Sequence, residues 1–283
     1  MENKSVYIIL LNYKGYEDTT ACIKSLRNIT YANYHIVIVD NCSKDGSYEK
    51  LRDENPDCTV ILSPENNGFS AGNNIGIHYA MEKGADYILL LNNDTEVKAD
   101  FLNHMMKRAN ENTVVTPSIY YYDEPDQIWY ADGRINYSRG TAQNGNDRES
   151  KYCDYASGCC LLIPRNIILQ IGVLAEEYFM YYEDMDYSLR VIRNGFKIFY
   201  EKDAVVYHKV GRTAGRKSKL SIYYGTRNRF YIMNKYKFGF RCYSYTLLSR
   251  IIRFIQGVVH RNSEIVTLKA ILDYYRGKMG KQF

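Results

Sequence analysis

The sequence predicts an α/β protein, with a mostly parallel mixed sheet flanked by helices and a basic helical extension at the C-terminus. Three observations lead there. Short, β-branched-rich apolar runs alternate with polar, helix-compatible segments through the first hundred residues. Polar residues gather directly after those runs. The charge changes sign near residue 202, beyond which 18 Lys and Arg stand against three acids.

Taken in order, "VYIILLNY", "HIVIVDN", "TVILS" and "YILLLNND" have strand length and are bounded by turn formers. Between them "YEDTTACIKSLRN", "SYEKLRDEN" and "SAGNNIGIHYAMEKG" read as helices. Strands that alternate with helices pair in parallel, and ligands then bind at their carboxyl ends. Asn12, Asp40, Asn41 and the trio Asn92, Asn93, Asp94 stand at those ends. From about residue 112 to 154 tyrosines and turn residues dominate, with the only tryptophan, Trp129, and this segment is expected to cross the mouth of the sheet. "CLLIPRNIILQIG" restores a strand and a helix. "EYFMYYEDMDYSLR" then crowds Glu183, Asp184 and Asp186 beside an apolar run, where like charges and burial both oppose ionisation. In "TLLSRIIRFIQGVVH", residues Leu248, Ile251, Ile252, Ile255, Val258 and Val259 form one helical stripe with Arg250 and Arg253 off it.

Composition narrows the classes. A chain of 283 residues with 46% hydrophobic and 24% charged residues is globular rather than disordered. Seven cysteines without a C-x-x-C pair argue against a disulfide framework and a zinc ribbon, and fit a reducing cytoplasm. The N-terminal apolar run is too short for a signal peptide and no uncharged stretch is long enough to span a bilayer, so the catalytic part is expected inside the cell. Residues 202–283 carry 18 − 3 = +15, leaving 5 − 15 = −10 for the first 201. That split points to an anionic partner for the tail, a membrane surface or phosphates, and an acidic body able to hold a cation. No nucleic-acid-binding signature is present, so nucleic acid is not expected as a partner.

Four stretches carry chemistry, each with a plainer alternative. Asp40 in "IVIVDNCSKDGS" can accept from a nucleotide base or ribose, or simply hold a turn. "ENNGFSAGNNIGI" places Gly68, Gly72 and Gly76 at a helix start, where backbone can approach phosphate; it is neither G-x-G-x-x-G nor a P-loop, and a glycine-rich turn is the alternative. Asp94 follows a buried strand with Asn92 on the same face, a pair suited to a hard cation or to a capped strand end. His208 in "VVYHKVG" is a metal ligand only if the fold brings it to Asp94. The tandem Cys159-Cys160 has no histidine near in sequence and reads as small buried hydrophobes.

With "SGCCLLIPR" and "YYEDMDYSLR" added, the motifs "VDNCSKDGS", "NNGFSAGNNIG" and "LNNDT" occur in an order that resembles glycosyltransferase family 2, over roughly residues 5–230. Within that family it resembles in particular the bacterial rhamnosyl- and galactofuranosyltransferase-like members that build surface polysaccharides. The resemblance implies a GT-A fold with a Rossmann-like sheet and inverting transfer from a nucleotide sugar, dTDP-rhamnose or a UDP-hexose. The acceptor would be a hydroxyl of a growing glycan or lipid-linked saccharide.

Carried onto this sequence, the resemblance makes Asp40 the contact to the pyrimidine, with Asn12 and the 66–73 loop (Asn67, Gly68, Asn73) lining the nucleotide pocket beside Asn92 and Asn93. Asp94 becomes the metal carboxylate of a D-x-D element whose first aspartate is here Asn92. His208 completes the site, and imidazole suits Mn²⁺ better than Mg²⁺. Asp184 becomes the base, with Glu183 orienting acceptor or base, and Asp186–Arg190 a supporting ion pair one helical turn apart. Gly158 and Cys159 would lie under the acceptor, with Trp129 stacking on a sugar ring. Arg227, in "YYGTRNRF", would approach phosphate.

Residues 1–205 are read as the nucleotide-sugar-binding and catalytic domain. Residues 206–283 are read as a flap, hinged at Gly211 and Gly215 with Arg212, Arg216 and Lys217, followed by amphipathic helices. Those helices are expected to touch an anionic membrane at the inner face of the cell membrane, or to form a homodimer. Two rivals stand beside the transferase: a non-catalytic nucleotide-sugar or glycan-binding module, and a dinucleotide-dependent oxidoreductase. The missing G-x-G-x-x-G after the first strand speaks against the second.

Overall fold

The computed structural model describes residues 4–210, 218–259 and 265–282. Its elements run β1 (Val6–Asn12), α1 (Tyr16–Leu26), β2 (Tyr34–Asp40), α2 (Ser47–Glu54), β3 (Thr59–Leu62), α3 (Gly68–Glu82), β4 (Tyr87–Asn92), β5 (Thr95–Val97) and α4 (Phe101–Arg108). They continue with β6 (Thr113–Tyr121), β7 (Ile128–Tyr130), β8 (Arg134–Asn136), β9 (Thr141–Gln143), β10 (Lys151–Cys153), β11 (Cys160–Pro164), α5 (Arg165–Ile171), a 3-10 turn (Glu176–Tyr178), α6 (Glu183–Arg193) and β12 (Lys197–His208). Three helices follow: α7 (Lys219–Lys235), α8 (Phe240–Val259) and α9 (Ile265–Tyr275).

The main sheet has the order β10-β12-β6-β11-β4-β1-β2-β3, with β5 added to β12 and β7 to β6. Along that order β11 and the edge strand β10 run against the rest: β11 pairs antiparallel with β4 and β6 and β10 with β12, while β1, β2, β3 and β4 are mutually parallel and β6 is parallel to β12. The four early strand runs and three early helices therefore fall where their patterns place them. β1 is buried along both faces: Ile8 and Leu10 join one core cluster and Ile9 the other. Each such side chain is worth about 1.5–3 kcal/mol of burial.

Glycines set how close α3 comes to β1. A Cβ on Gly72 would lie 2.4 Å from Leu11 Cδ1, and one on Gly76 would lie 2.4 Å from Ile9 Cγ2. These two serve helix–sheet packing rather than ligand approach.

The segment expected to cross the sheet mouth begins later than its composition implied. Residues 113–121 form β6, an interior strand buried from Thr113 to Ile119. Pro117 disguises it, since proline cannot donate to a ladder. The fold admits it at a bulge, where the register with β12 shifts between Glu201 and Val205. The stretch from about 122 to 154 is mostly irregular, interrupted by the short strands β7 and β10 on the main sheet and by the small β8–β9 hairpin. Strand β12 runs across the expected boundary at 205, to His208.

In the tail, α7 packs on α9 and reaches back to the catalytic half: Arg229 Nε donates to Arg139 O at 2.9 Å, and Arg193 Nη2 to Tyr236 O at 3.0 Å. The stripe on α8 faces outward, with Leu248, Ile251, Ile252 and Ile255 between 44% and 59% exposed. Val258 and Val259 fall outside the described side chains. Among the described residues no helix is long and apolar enough to cross a membrane. All seven cysteines are free.

Candidate active site

The acidic cluster occupies the first turn of α6, where exposed helix N–H groups favour negative charge. Its approach is strained: Phe179, Tyr181 and Tyr182 have φ of 67°, 66° and 76°, values that cost non-glycine residues about 1–3 kcal/mol each. Such strain persists only where the surroundings enforce it. Here it turns the chain so that Asp184 meets the loop before β11. Asp184 Oδ2 accepts from Tyr155 Oη at 2.5 Å and from Gly158 N at 3.1 Å, while Oδ1 accepts from Met185 N at 2.8 Å. Burial pushes the Asp184 carboxyl above its ordinary value, and these donors oppose it.

Its two acidic neighbours have separate environments. Glu183 is buried with Oε2 lacking any hydrogen bond, and burial followed by the charge of Asp184 drives its carboxyl well up. Asp186 has no exposed surface and accepts from Arg190 Nε at 2.9 Å, Tyr178 Oη at 3.0 Å and Tyr236 Oη at 2.9 Å, with Lys235 Nζ at 2.8 Å. The pairing of Asp186 with Arg190 is thus part of a buried network joining α6 to α7.

On the other side of Gly158-Cys159 lie Asp94 and His208. His208, at the end of β12, is opposite Thr95 of β5, which brings it to Asp94, the residue just before β5. His208 Nε2 is 3.2 Å from Asp94 Oδ1, both residues are buried, and neither Asp94 Oδ1 nor His208 Nδ1 makes a hydrogen bond. A buried carboxylate oxygen facing an imidazole nitrogen would suit a divalent cation that takes the place of the imidazole's proton, with its remaining positions going to phosphate oxygens and water. Among the described residues no cluster of three or more His, Cys, Asp or Glu exists to close such a site without a substrate.

Burial disfavours the charged imidazole of His208, while the Asp94 carboxylate, 3.2 Å from Nε2, favours it and raises the ring. Cys159 itself is a buried thiol pushed up by burial, which leaves no thiolate for nucleophilic chemistry. Trp129 meets His208 edge-on, with ring centroids 4.8 Å apart. Cys159 O also accepts from Asn92 N at 2.9 Å. One dipeptide therefore touches Asp184 through Gly158 and the Asp94–His208 pair through Cys159.

The donor-side residues are mostly committed to structure. Asp40 is fully buried and accepts from Asn12 Nδ2 at 2.6 Å, Ser43 N at 2.9 Å, Ser43 Oγ at 2.7 Å and Ser47 Oγ at 3.5 Å. Direct contact with a pyrimidine needs one of these donors to give way. Asn12 is also fully buried, its Oδ1 taken by Thr19 Oγ1 and Gly15 N, so it supports the pocket from behind. Asn93 donates to Thr19 Oγ1 at 2.8 Å. Asn92 is half-buried with its side-chain amide unused by the described residues. Asn67 is exposed and bonded to Glu65; Asn73 is buried and donates to Phe69 O. Gly68, at φ +92°, has Phe179 O 2.1 Å from where a Cβ would sit, so the donor loop and the strained 179–182 segment are in contact.

Arg227 does not approach a phosphate site. It is fully buried, its guanidinium donating to Asn228 Oδ1, Gly280 O and Tyr178 O. The expected flap residues Gly211, Arg212, Gly215, Arg216 and Lys217 lie outside the described residues. Sequence reasoning missed Tyr155, whose contact with Asp184 spans 29 positions and leaves no local signal.

Comparisons with known proteins place the chain in a family. The family model described as glycosyl transferase family 2 matches residues 5–172. The chain is 30% identical over 238 residues, 80% of its length and 75% of the relative's, to a low-salt glycan biosynthesis hexosyltransferase, Agl10, of Haloferax volcanii. It is 23% identical to the dTDP-rhamnosyl transferase RfbF of Shigella flexneri, covering 97% of this chain and 93% of that one. In structure it is similar to a mannosyltransferase from Pyrobaculum calidifontis solved with GDP-Man and Mn²⁺, at TM-score 0.61 and 13% identity, over 96% of this chain and 82% of that chain. Fold, motif order and relatives together make it a glycosyltransferase of GT-A fold, and the chain belongs to glycosyl transferase family 2.

Proposed function

We propose that the protein transfers a rhamnosyl or hexosyl group from a dTDP- or UDP-linked donor to a hydroxyl of a growing surface polysaccharide or lipid-linked glycan, with inversion at the anomeric carbon. The observation that carries this reading is the Gly158-Cys159 dipeptide, which touches the Asp184 carboxylate with one residue and the Asp94–His208 pair with the next. Asp184 takes the acceptor's hydroxyl proton on a carboxylate oxygen. The acceptor oxygen forms the new bond to the anomeric carbon while the bond to the diphosphate breaks, and the nucleoside diphosphate leaves. Asp94 and His208 would hold Mn²⁺ or Mg²⁺, which when bound supplies charge neutralisation at the diphosphate. Trp129, beside His208, offers an aromatic face to a sugar ring.

The outward apolar stripe on α8, in a tail of charge +15, supports peripheral contact with an anionic membrane at its cytoplasmic face. Sedimentation with anionic vesicles checks it; a concentration-dependent homodimer through that stripe without vesicle binding would replace it.

The test of the catalytic reading is Asp184→Asn. Binding of UDP and dTDP sugars, screened by thermal shift with Mn²⁺, should be retained while transfer is lost. Transfer at the wild-type rate would remove the base assignment, and retained donor binding with no transfer by wild type to any saccharide acceptor would favour a binding module.

A further inference from the structure

The segment that presents Asp184 is held by side chains from a helix some fifty residues away in sequence. Phe179 O is taken by Phe69 N at 2.7 Å, but the carbonyls of Tyr178, Met180 and Tyr181 have no strand or helix partner, and buried carbonyls need donors. Asn228 supplies them: its Nδ2 lies 3.0 Å from Tyr178 O, 2.9 Å from Met180 O and 2.9 Å from Tyr181 O. Arg227 fixes which way that amide faces, because its Nε donates to Asn228 Oδ1 at 2.9 Å and so leaves Nδ2 turned to the three carbonyls. The same guanidinium reaches Tyr178 O at 2.9 Å and, through Nη1, Gly280 O at 2.6 Å, while Gly280 N donates to Glu177 O at 2.8 Å. Both residues have no exposed surface.

We infer that Arg227 and Asn228 are positioning residues, a clamp from α7 that enforces the positive-φ path of residues 179–182 and thereby sets Asp184 against Gly158. The inference rests on the reading of Asp184 as the base. It gives the tail a part in turnover, since the carbonyl of Gly280 closes the clamp from the far end of the chain. It also accounts for a buried arginine with no carboxylate among its hydrogen-bond partners, whose donors go to backbone oxygens and to Asn228 Oδ1.

The experiment uses the full chain with Asn228→Asp, which keeps shape but turns an acceptor toward three carbonyls, and Arg227→Lys, which keeps the charge but loses the hold on the amide. Hydrogen exchange is read on peptides covering 176–186, with transfer measured on the dTDP- or UDP-sugar that wild type consumes. The clamp predicts about tenfold or greater loss of protection confined to that segment. It also predicts a fall in kcat of roughly 10- to 100-fold in Asn228→Asp, with donor KM within about twofold and a milder loss in Arg227→Lys. Unchanged protection, or loss spread evenly through the sheet, would overturn it. Should Asn228→Asp not fold, Arg227→Lys decides by the same local exchange. Asp184→Asn is run alongside: if it is as fast as wild type the base assignment falls, and the exchange result still decides the clamp.

Discussion

Replacing Tyr155 by Phe removes one hydroxyl and leaves the ring, so the consequence can be worked from a single contact. In the wild type, burial raises the Asp184 carboxyl while Tyr155 Oη, at 2.5 Å from Oδ2, favours the ionised form. Gly158 N at 3.1 Å and Met185 N at 2.8 Å remain in the variant. A hydrogen bond to a charged group is worth about 1.5–3 kcal/mol, and about 1.4 kcal/mol moves a pKa by one unit. Loss of the hydroxyl should therefore raise the titration by about one to two units.

The base works ionised, so the acidic limb of kcat should move to higher pH by that amount, with the rate below the limb reduced about tenfold per unit and the plateau nearly preserved. Glu183 borders the same carboxylate, Tyr155 itself is driven well up by burial and then by the charge of Asp184, and the limb belongs to the coupled carboxyl pair. Steady-state transfer from about pH 5 to 9, with melting temperatures measured across the range, reads the shift. An acidic limb that stays put or moves to lower pH in a folded variant would refute the reasoning.

Chelation with EDTA should abolish transfer and Mn²⁺ should restore it more fully than Mg²⁺, given the imidazole of His208 facing Asp94; activity indifferent to chelation would remove the metal from the reading. Glu183→Gln should alter the pH dependence of stability: the raised Glu183 carboxyl makes the folded state bind its proton more tightly, so wild-type stability falls as pH rises above the ordinary glutamate range, and the melting-temperature difference between variant and wild type should grow from about pH 5 to 8. Asp186→Ala leaves Arg190 and Lys235 facing a buried gap and should cost about 3–5 kcal/mol in denaturant unfolding, against near-neutrality if the network were superficial.

What the sequence disclosed follows the range of the forces involved. β1 to β4 and α1 to α3 carry their own periodicity, so local pattern sufficed. β6 was obscured because Pro117 violates strand chemistry and only the bulge opposite it, formed by β12 some eighty residues later, makes the violation tolerable. Asp94, His208, Asp184 and Gly158 were readable as residue types in ordered motifs. Their meeting depends on the β12–β5 ladder and on the reversed strand β11, neither of which a linear pattern encodes. Arg227 was misassigned for the same reason: an arginine in a helix signals charge, whereas its partners are main-chain oxygens at residues 178 and 280. Tyr155 was one of 29 tyrosines, and only its position against Asp184 sets it apart.

The reversal of β11 has a wider consequence. Because it runs against its neighbours, it is the start of this strand, Cys160 opposite Leu91, that reaches the cleft, and the chain arrives there from the irregular 122–154 stretch. That stretch is tethered between two fixed posts, Tyr121 at the end of β6 and Cys160 at the head of β11. It is anchored along the way as well, by β7 on β6 and β10 on β12, so a change of length is absorbed between those anchors, in the β8–β9 hairpin and the residues around it.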